Sequence, residues 1–165
     1  MPFANAQQNN PNFLTYTNTD LGFTIKYPSD WKVDESKRVN DTIDFISPRD
    51  AGSFVVRIST WSLRPNETNM SGADIVKVLI SHNYFGMKPI GVNTNNYSLS
   101  GHPAVFLYGI VSSIRGIDIE MMTLITTLEG KAYMVDCSTS PPKRFIDCLQ
   151  TGELMIKSFQ IISKQ

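Results

Sequence analysis

The chain has 165 residues, 41% of them hydrophobic, and its 15 basic and 15 acidic side chains give a net charge of zero. A chain of this length buries enough apolar surface to fold as one domain without a metal or several disulfides. Zero net charge, with no basic run, argues against binding to nucleic acid or to an anionic membrane. The longest apolar runs, such as residues 104–111, are far shorter than the ~20 residues that span a bilayer, so no transmembrane segment is predicted.

The N-terminal residues are polar after position 6 and cannot build a core, so we predict a flexible tail over residues 1–12 and a single domain over 13–162. Ala4-Asn5-Ala6 has the small-x-small pattern of a signal-peptidase site, and an ordinary tail explains it equally well. Four Asn-x-Ser/Thr sequons begin at Asn40, Asn66, Asn69 and Asn96. Together these features predict an extracytoplasmic protein, exported or tethered through a removed N-terminal segment.

Residues 13–31, FLTYTNTDLGFTIKYPSDW, predict a β-hairpin, because β-favouring residues flank a turn-forming Asn/Asp/Gly cluster. Pro28 cannot donate to a strand ladder, so we expect the second strand to end at Tyr27. Trp31 then returns a large apolar ring to the core as a buried anchor. The residues of this structural motif are Gly22, Phe23, Tyr27, Pro28 and Trp31.

Short strands are predicted over residues 32–35, 42–46 and 54–61. Ser71, followed three positions later by Asp74, resembles a capping box and begins an amphipathic helix that we expect to end near Gly86. The apolar stripe of this helix includes His82, for which we expect a buried, hydrogen-bonded position rather than a ligand role.

Residues 102–112, 117–128 and 131–137 are separated by short turns and predict an antiparallel meander at the centre of a sheet. The first two of these strands are apolar on both faces and need cover on both sides. A second helix is predicted at about 142–158, in which Gly152 allows close approach to the sheet. The predicted fold class is therefore α+β, with a central antiparallel sheet and helices on its faces.

Several of these segments, in their order along the chain, resemble the PsbP-like family, which includes the extrinsic PsbP subunit of photosystem II and exported prokaryotic relatives. The stretch Gly22–Trp31 is similar to the most recognisable motif of that family. Weaker matches follow at Val55–Ile58, Gly101–Ala104, Gly130–Tyr133 and Ser158-Phe159. The resemblance implies the PsbP-like fold, an α-β-α sandwich around an antiparallel sheet, and a non-enzymatic accessory or binding role.

Two histidines and three strand carboxylates are the candidates for a divalent-metal site: His82, His102, Asp118, Glu120 and Asp136. No His-x-x-x-His or Cys-x-x-Cys spacing supports such a site. The alternative is that the carboxylates are solvated or salt-bridged and that His102 only begins a strand. No cofactor is predicted, and a divalent metal stays the alternative.

Cys137 ends a predicted strand, and Cys148 lies in the first turns of the following helix. A disulfide between them in an oxidising compartment would add roughly 3 kcal/mol to the free energy of unfolding. The alternative is two buried thiols.

The sequence contains no nucleophile elbow, phosphate-binding loop or dinucleotide fingerprint, so we do not predict an enzyme. We predict a non-enzymatic, exported and monomeric module that binds a protein partner in an envelope or membrane-associated assembly. The alternative is an extracytoplasmic protein that binds a small ligand or a divalent metal.

Overall fold

The structure is a computed structural model that describes residues 12–36, 41–48, 53–83, 87–112, 118–140 and 145–162. Its elements follow in the order β1 (Phe13–Asn18), β2 (Phe23–Pro28), β3 (Lys32–Asp34), β4 (Thr42–Ile46), β5 (Ser53–Ser62), α1 (Gly72–Ser81), β6 (Met87–Leu99), β7 (His102–Ser112), β8 (Asp118–Leu128), β9 (Lys131–Ser140), α2 (Phe145–Ser158) and β10 (Gln160–Ile161). Within these ranges, the strands form a three-stranded sheet, β1-β2-β10, and a seven-stranded sheet, β3-β4-β5-β9-β8-β7-β6. All strand pairs are antiparallel.

The predicted hairpin is confirmed: β1 and β2 pair from Phe13 opposite Pro28 to Asn18 opposite Phe23. Gly22 adopts the positive φ of 78° that the turn requires, and its N–H donates to the Asn18 carbonyl at 2.9 Å. Pro28 is the last residue of β2, one position beyond the predicted end. The hairpin belongs to the smaller sheet, where the C-terminal β10, which the sequence did not predict, pairs with β2.

The anchor of the hairpin is Phe23 rather than Trp31. Phe23 is fully buried and stacks on Phe159 with ring centroids 5.6 Å apart. Trp31 is only half-buried and packs at the edge of the same hydrophobic cluster, so the prediction of a buried Trp31 is wrong. The reason is the turn at Pro28, where the Trp31 N–H donates to the Pro28 carbonyl at 3.0 Å and keeps Trp31 close to the surface.

The predicted meander is confirmed, because β7 pairs with β8 and β8 with β9. The 13-residue β6, at the edge of the seven-stranded sheet, was not predicted. Its sequence MKPIGVNTNNYSL contains turn-favouring residues and lacks alternation. Register shifts between Pro89 and Gly91 and between Asn93 and Tyr97 accommodate these residues at the edge.

The capping box of α1 is confirmed: the Asp74 N–H donates to Ser71 Oγ at 3.3 Å, and the Ser71 N–H donates to Asp74 Oδ2 at 3.1 Å. The helix ends at Ser81, earlier than predicted, and Gly86 lies outside the described residues. His82 is its exposed C-cap, so the prediction of a buried histidine is wrong. The buried positions of α1 are Gly72, Ile75 and Val76, a face rotated away from the predicted stripe.

Helix α2 approaches β9 closely at Gly152, as predicted. A Cβ atom at Gly152 would lie 2.9 Å from the Cys137 Sγ, closer than side chains pack. The buried α2 residues Met155 and Ile156, with the following Phe159, join the hydrophobic cluster of Phe23. Among the described residues, neither helix has the length and apolar character needed to cross a bilayer.

Two hydrophobic clusters contact the seven-stranded sheet. One, called here the aromatic cluster, contains Phe23, Phe45, Phe54 and Phe159 together with the α2 residues Met155 and Ile156. The other, the α1 cluster, contains Leu63, Ile75, Val76, Val105, Ile125, Ala132 and Met134. Successive side chains of a strand point to opposite faces, and β9 gives Val135 and Cys137 to the aromatic cluster but Met134 to the α1 cluster. The chain is therefore an α+β fold, mostly antiparallel sheet with two helices.

Candidate functional site

Four polar side chains lie in one row across four neighbouring strands of the seven-stranded sheet. At the outer end of this row, the half-buried Asp34 of β3 lies opposite Asp44. The pairs of the four are Asp44 opposite Arg57, Arg57 opposite Asp136, and Asp136 opposite Thr123. Paired residues of antiparallel strands project from the same face, so these four side chains, called here the polar row, are neighbours. Tertiary structure thus joins residues that are up to 92 positions apart in the sequence.

The polar row lies on the face of the α1 cluster. Ile43 and Phe45, which flank Asp44, belong to the aromatic cluster, so the alternation of β4 turns Asp44 to the other face. Val135 and Cys137 place Asp136 in the same way. Helix α1 packs on β6, β7 and β8 of this sheet, whereas Asp44, Arg57 and Asp136 lie on β4, β5 and β9.

Arg57 and Asp44 form a bidentate ion pair. Arg57 Nε donates to Asp44 Oδ1 at 2.6 Å, and Nη2 donates to Oδ2 at 2.9 Å. The side chain of Asp44 is 2% exposed, whereas that of Arg57 is 41% exposed. The hydrogen bond to Asp44 is the largest cause of the raised pKa of Arg57, which keeps the guanidinium charged. The pair therefore has a buried acidic end and an accessible basic end.

Asp136 is the buried titratable group of the row. Thr123 Oγ1 donates to Asp136 Oδ1 at 2.5 Å. Loss of hydration raises the pKa of Asp136 to about 6, and repulsion from Asp44 acts in the same direction. The Thr123 hydrogen bond and the charge of Arg57 oppose this rise in the pKa without cancelling it. The carboxyl group of Asp136 therefore titrates close to neutral pH.

The side chains beside the row on β4, β5, β9 and β8 are uncharged, whereas Lys32 of β3, opposite Ile46, is an exposed cation on the same face. On one side, the pairs Ile46–Val55, Val55–Ser138 and Ser138–Met121 form a half-buried row. On the other side, Thr42, Ser59, Met134 and Ile125 are aligned in the same way. Among the described residues of β4, β5, β9 and β8, Arg57 is thus an accessible charge whose flanking side chains on this face are uncharged.

The predicted metal candidates do not converge. His102 is half-buried at the first residue of β7, and Glu120, also half-buried, pairs with Ile110 near the other end of that strand. Eight residues of strand correspond to roughly 26 Å. Asp118 is exposed at the start of β8, and Glu120 and Asp136 project from opposite faces of the sheet. In the described ranges, no group of three His, Cys, Asp or Glu side chains is placed to hold a metal ion. Metal binding stays a prediction.

Cys137 is fully buried and disulfide-bonded. The chain has one other cysteine, Cys148, whose side chain lies outside the described residues. The pairing of Cys137 with Cys148 stays a prediction.

Sequence reasoning selected Asp136 as a metal candidate and missed the other members of the row. A usable signal was present: TIDFI, VVRIS and YMVDC each carry one charged residue within an otherwise uncharged strand segment. Charged residues inside a strand with apolar neighbours on both sides need partners, because burial of an unpaired charge is costly. The signal indicates paired charges but does not say which strands are neighbours.

A cleft of about 460 Å³ lies elsewhere, between the turn from β6 to β7 and the end of α2. Its polar lining comes from Ser98, Ser100, Lys157 and Gln160, and its apolar lining includes Ile156 and Phe159. Ser100 Oγ accepts the Ile161 N–H at 2.9 Å, which ties the turn to β10. No predicted site residue lines this cleft.

The fold is that of PsbP-like proteins, and the resemblance noted from the sequence is confirmed at this level. The solution structure of cyanobacterial PsbP (CyanoP) from Synechocystis sp. PCC 6803 superposes with a TM-score of 0.68 and 16% identity, covering 94% of this chain and 95% of that one. LpqN of Mycobacterium tuberculosis, which is involved in cell envelope biogenesis, gives a TM-score of 0.55 at 14% identity and covers 94% of this chain and 93% of its own.

The Ran-binding protein Mog1p of Saccharomyces cerevisiae has a TM-score of 0.59 at 8% identity, covering 93% of this chain and 97% of its own. No protein-family model matches the sequence, and no curated protein matches it either. Identities this low show a shared fold and leave the function to be argued from the residues of this chain.

Proposed function

We propose that this protein is a non-catalytic, exported PsbP-like module that binds a protein partner through the sheet face of the polar row. The observation that carries the proposal is the Arg57 guanidinium, 41% exposed and held by a buried Asp44, with uncharged flanking side chains on β4, β5, β9 and β8. A fixed arginine in such surroundings is typical of binding hot spots. The name of one structural neighbour, the Ran-binding Mog1p, supports protein binding as a use of this fold.

The geometry of the row favours binding over catalysis. Its hydroxyl, Thr123, is 0% exposed and already donates its hydrogen to Asp136. A nucleophile must be reachable by the substrate and must lose its proton to a neighbouring base during the reaction. Thr123 instead has the position of a buried structural hydrogen-bond donor.

Export is supported by two features of the chain. A disulfide at Cys137 suits an oxidising compartment. The sequon residues Asn66 and Asn69 are exposed, as acceptor sites in exported proteins are. LpqN acts in cell envelope biogenesis, and we propose an envelope or membrane-associated assembly as the setting for this protein as well.

We further propose that α1 and α2 cover opposite faces of the seven-stranded sheet in an α-β-α sandwich. The alternation of β9 between the aromatic cluster, which includes α2 residues, and the α1 cluster supports this arrangement. In this arrangement α1 covers β6, β7 and β8, and the part of the sheet around Arg57 on β5 lies beside α1.

Site-specific photocrosslinking tests the binding function. A benzophenone amino acid at Val55, beside Arg57 on β5, should give a reproducible crosslinked partner in cells of the source organism. The same amino acid at Lys77, exposed on α1, is the control position. Far-UV circular dichroism checks that both variants fold. The proposal fails if position 55 gives no product, or gives the same products as position 77.

The cleft of about 460 Å³ favours small-ligand binding as a second candidate function, because its volume lies in the range of ligand sites. We propose a thermal-shift screen of divalent cations, phosphate and small carboxylates, with Lys157→Gln as the comparison. A compound that raises the Tm of the wild type but not of the variant would support the cleft as a site. An unchanged Tm for every compound would contradict it.

A further inference from the structure

The guanidinium of Arg57 has hydrogen-bonding capacity that Asp44 does not use. Asp44 accepts from Nε and from one hydrogen of Nη2. The remaining donors, on Nη1 and Nη2, have no acceptor among the described residues, and the side chain is 41% exposed. The outer edge of Arg57 is therefore open to a second planar acceptor.

The charges of the polar row are arranged so that a partner meets the cation first. The two acids next to Arg57 in the row, Asp44 and Asp136, are 2% and 4% exposed, so neither offers a surface for contact. A third acid, the half-buried Asp34, lies two strands away from Arg57 on β3. On β4, β5, β9 and β8 the flanking rows, with Val55 and Met121 among them, are uncharged, and the charge that follows on β3 is the exposed cation Lys32. Charge complementarity thus favours an anionic group on the partner, and the fork geometry of a guanidinium matches a carboxylate.

We propose, on the basis of the protein-binding function above, that the outer edge of Arg57 captures the carboxylate of an aspartate or glutamate side chain in the protein partner. The captured carboxylate and Asp44 then hold the guanidinium between them. The uncharged rows on either side contact the apolar neighbours of that acidic residue, and they exclude water from the ion pair.

The row also makes this capture dependent on pH. The groups that face Asp136 are Arg57 on β5 and Thr123 on β8, with Asp44 on β4 one strand further away. Above its pKa of about 6, Asp136 carries a negative charge. This charge repels the incoming carboxylate and weakens the net attraction of that carboxylate to Arg57. Below that pH it is neutral. Binding is therefore tighter at pH 5.5 than at pH 7.5.

A pair of peptides tests the carboxylate. The probes are acetyl-Ala-Val-Glu-Val-Ala-amide and the same peptide with Gln in place of Glu, titrated at pH 5.5 into the ¹⁵N-labelled full chain. The Glu side chain is still largely ionised at this pH. We expect the Glu peptide to shift the Arg57 Nε–H resonance in a saturable manner and the Gln peptide to leave it unmoved. Equal shifts with both peptides, or no shift with either, would overturn the proposal.

Variants of the polar row test whether peptide binding depends on the ionisation of Asp136. For the wild type we expect the Kd of the Glu peptide to rise about tenfold from pH 5.5 to pH 7.5. Asp136→Asn keeps an acceptor for Thr123 but cannot ionise, so its Kd should stay near the wild-type pH 5.5 value at both pH values. A Kd of Asp136→Asn that changes with pH as much as that of the wild type would overturn the coupling.

Arg57→Lys keeps the charge and removes the fork, so it should weaken binding of the Glu peptide while the protein remains folded. Lys77→Gln removes an exposed cation from α1 and is the matched control. If Lys77→Gln weakens binding as much as Arg57→Lys does, non-specific attraction explains the binding and the proposal fails.

The two proposals fail in different ways. If position 55 crosslinks a partner but the Glu peptide does not bind at Arg57, protein binding stands and carboxylate capture is wrong. If the Glu peptide binds and position 55 crosslinks nothing, the carboxylate site stands and the proposed protein-binding function is wrong.

Discussion

The face of the seven-stranded sheet that carries the aromatic cluster and the face that carries the polar row differ in how they use buried positions. On the first face, Phe23, Phe45 and Phe159 are at most 1% exposed. Phe23 stacks on Phe159, and Phe45 contacts the rings of Tyr16 and Tyr27. On the second, Asp44 and Asp136 are nearly as deeply buried although both are acids. A buried aromatic ring adds stability directly, whereas a buried acid lowers it unless a partner compensates. The comparison indicates that the face of the aromatic cluster contributes more to the stability of the fold than the face of the polar row does.

The largest expected effect is on the aromatic face. Phe23→Ala removes a fully buried ring and should lower the free energy of unfolding by about 3–5 kcal/mol. Trp31→Ala should lower it by only about 1–2 kcal/mol, because Trp31 is half-buried. Urea denaturation of both variants measures the difference. Equal losses would mean that Trp31 is as much an anchor as Phe23.

The next effect concerns the titration of Asp136 on the polar face. The pKa of its carboxyl is 3.8 ordinarily and about 6 in the folded protein. Between these values the folded state holds a proton that the unfolded state has released, so the free energy of unfolding falls as pH rises. The loss should reach about 3 kcal/mol above pH 6.

Asp136→Asn should remove this decrease in the free energy of unfolding. The variant should therefore be more stable than the wild type at pH 7.5, and the two proteins should be equally stable near pH 4. Urea denaturation of both proteins across this pH range measures it. Parallel pH profiles would contradict the assignment to Asp136.

Breaking the ion pair should have a smaller effect. Arg57→Gln leaves the carboxylate of Asp44 buried without its bidentate partner and should lower the free energy of unfolding by about 2 kcal/mol. The loss is moderate because Arg57 is 41% exposed, and water can reach the site. The double variant Asp44→Asn/Arg57→Gln should recover part of it. Additive losses in this double-mutant cycle would show that the two groups do not interact.

The smallest expected effect is at the start of α1, outside both clusters. Ser71→Ala removes the acceptor of the Asp74 N–H and should lower the free energy of unfolding by about 1 kcal/mol. Lys77→Ala on the exposed side of the same helix is the control, and its change should stay within about 0.5 kcal/mol. A loss at Ser71 no greater than at Lys77 would show that the cap does not stabilise the helix.

Features with a local cause could be predicted from the sequence. The hairpin followed from the turn residues Asn18 to Gly22, and the meander from its two short turns. The start of α1 followed from Ser71 and Asp74. In each case the residues that cause the structure are within a few positions of one another.

Local patterns misplaced the side chains whose burial depends on distant neighbours. The 3.6-residue period predicted a helix at α1, but the contacting face is set by the strands beneath it, which left His82 exposed. Trp31 is a large aromatic residue suited to a buried position, but it is Phe23 of the same hairpin region that packs against Phe159. Hydrophobicity indicates that a residue is suited to burial but not which of two candidates the packing selects.

The sequence by itself determined the hairpin, the central meander and the likeness to PsbP-like proteins, because turn residues, strand-forming runs and short motifs each act over a few residues. Only the tertiary structure decided that β5 lies between β4 and β9, and this order created the polar row. The sequence shows isolated charges at Asp44, Arg57 and Asp136, but cross-strand register alone makes them neighbours. Register is a property of paired strands, and no single segment of the chain contains it.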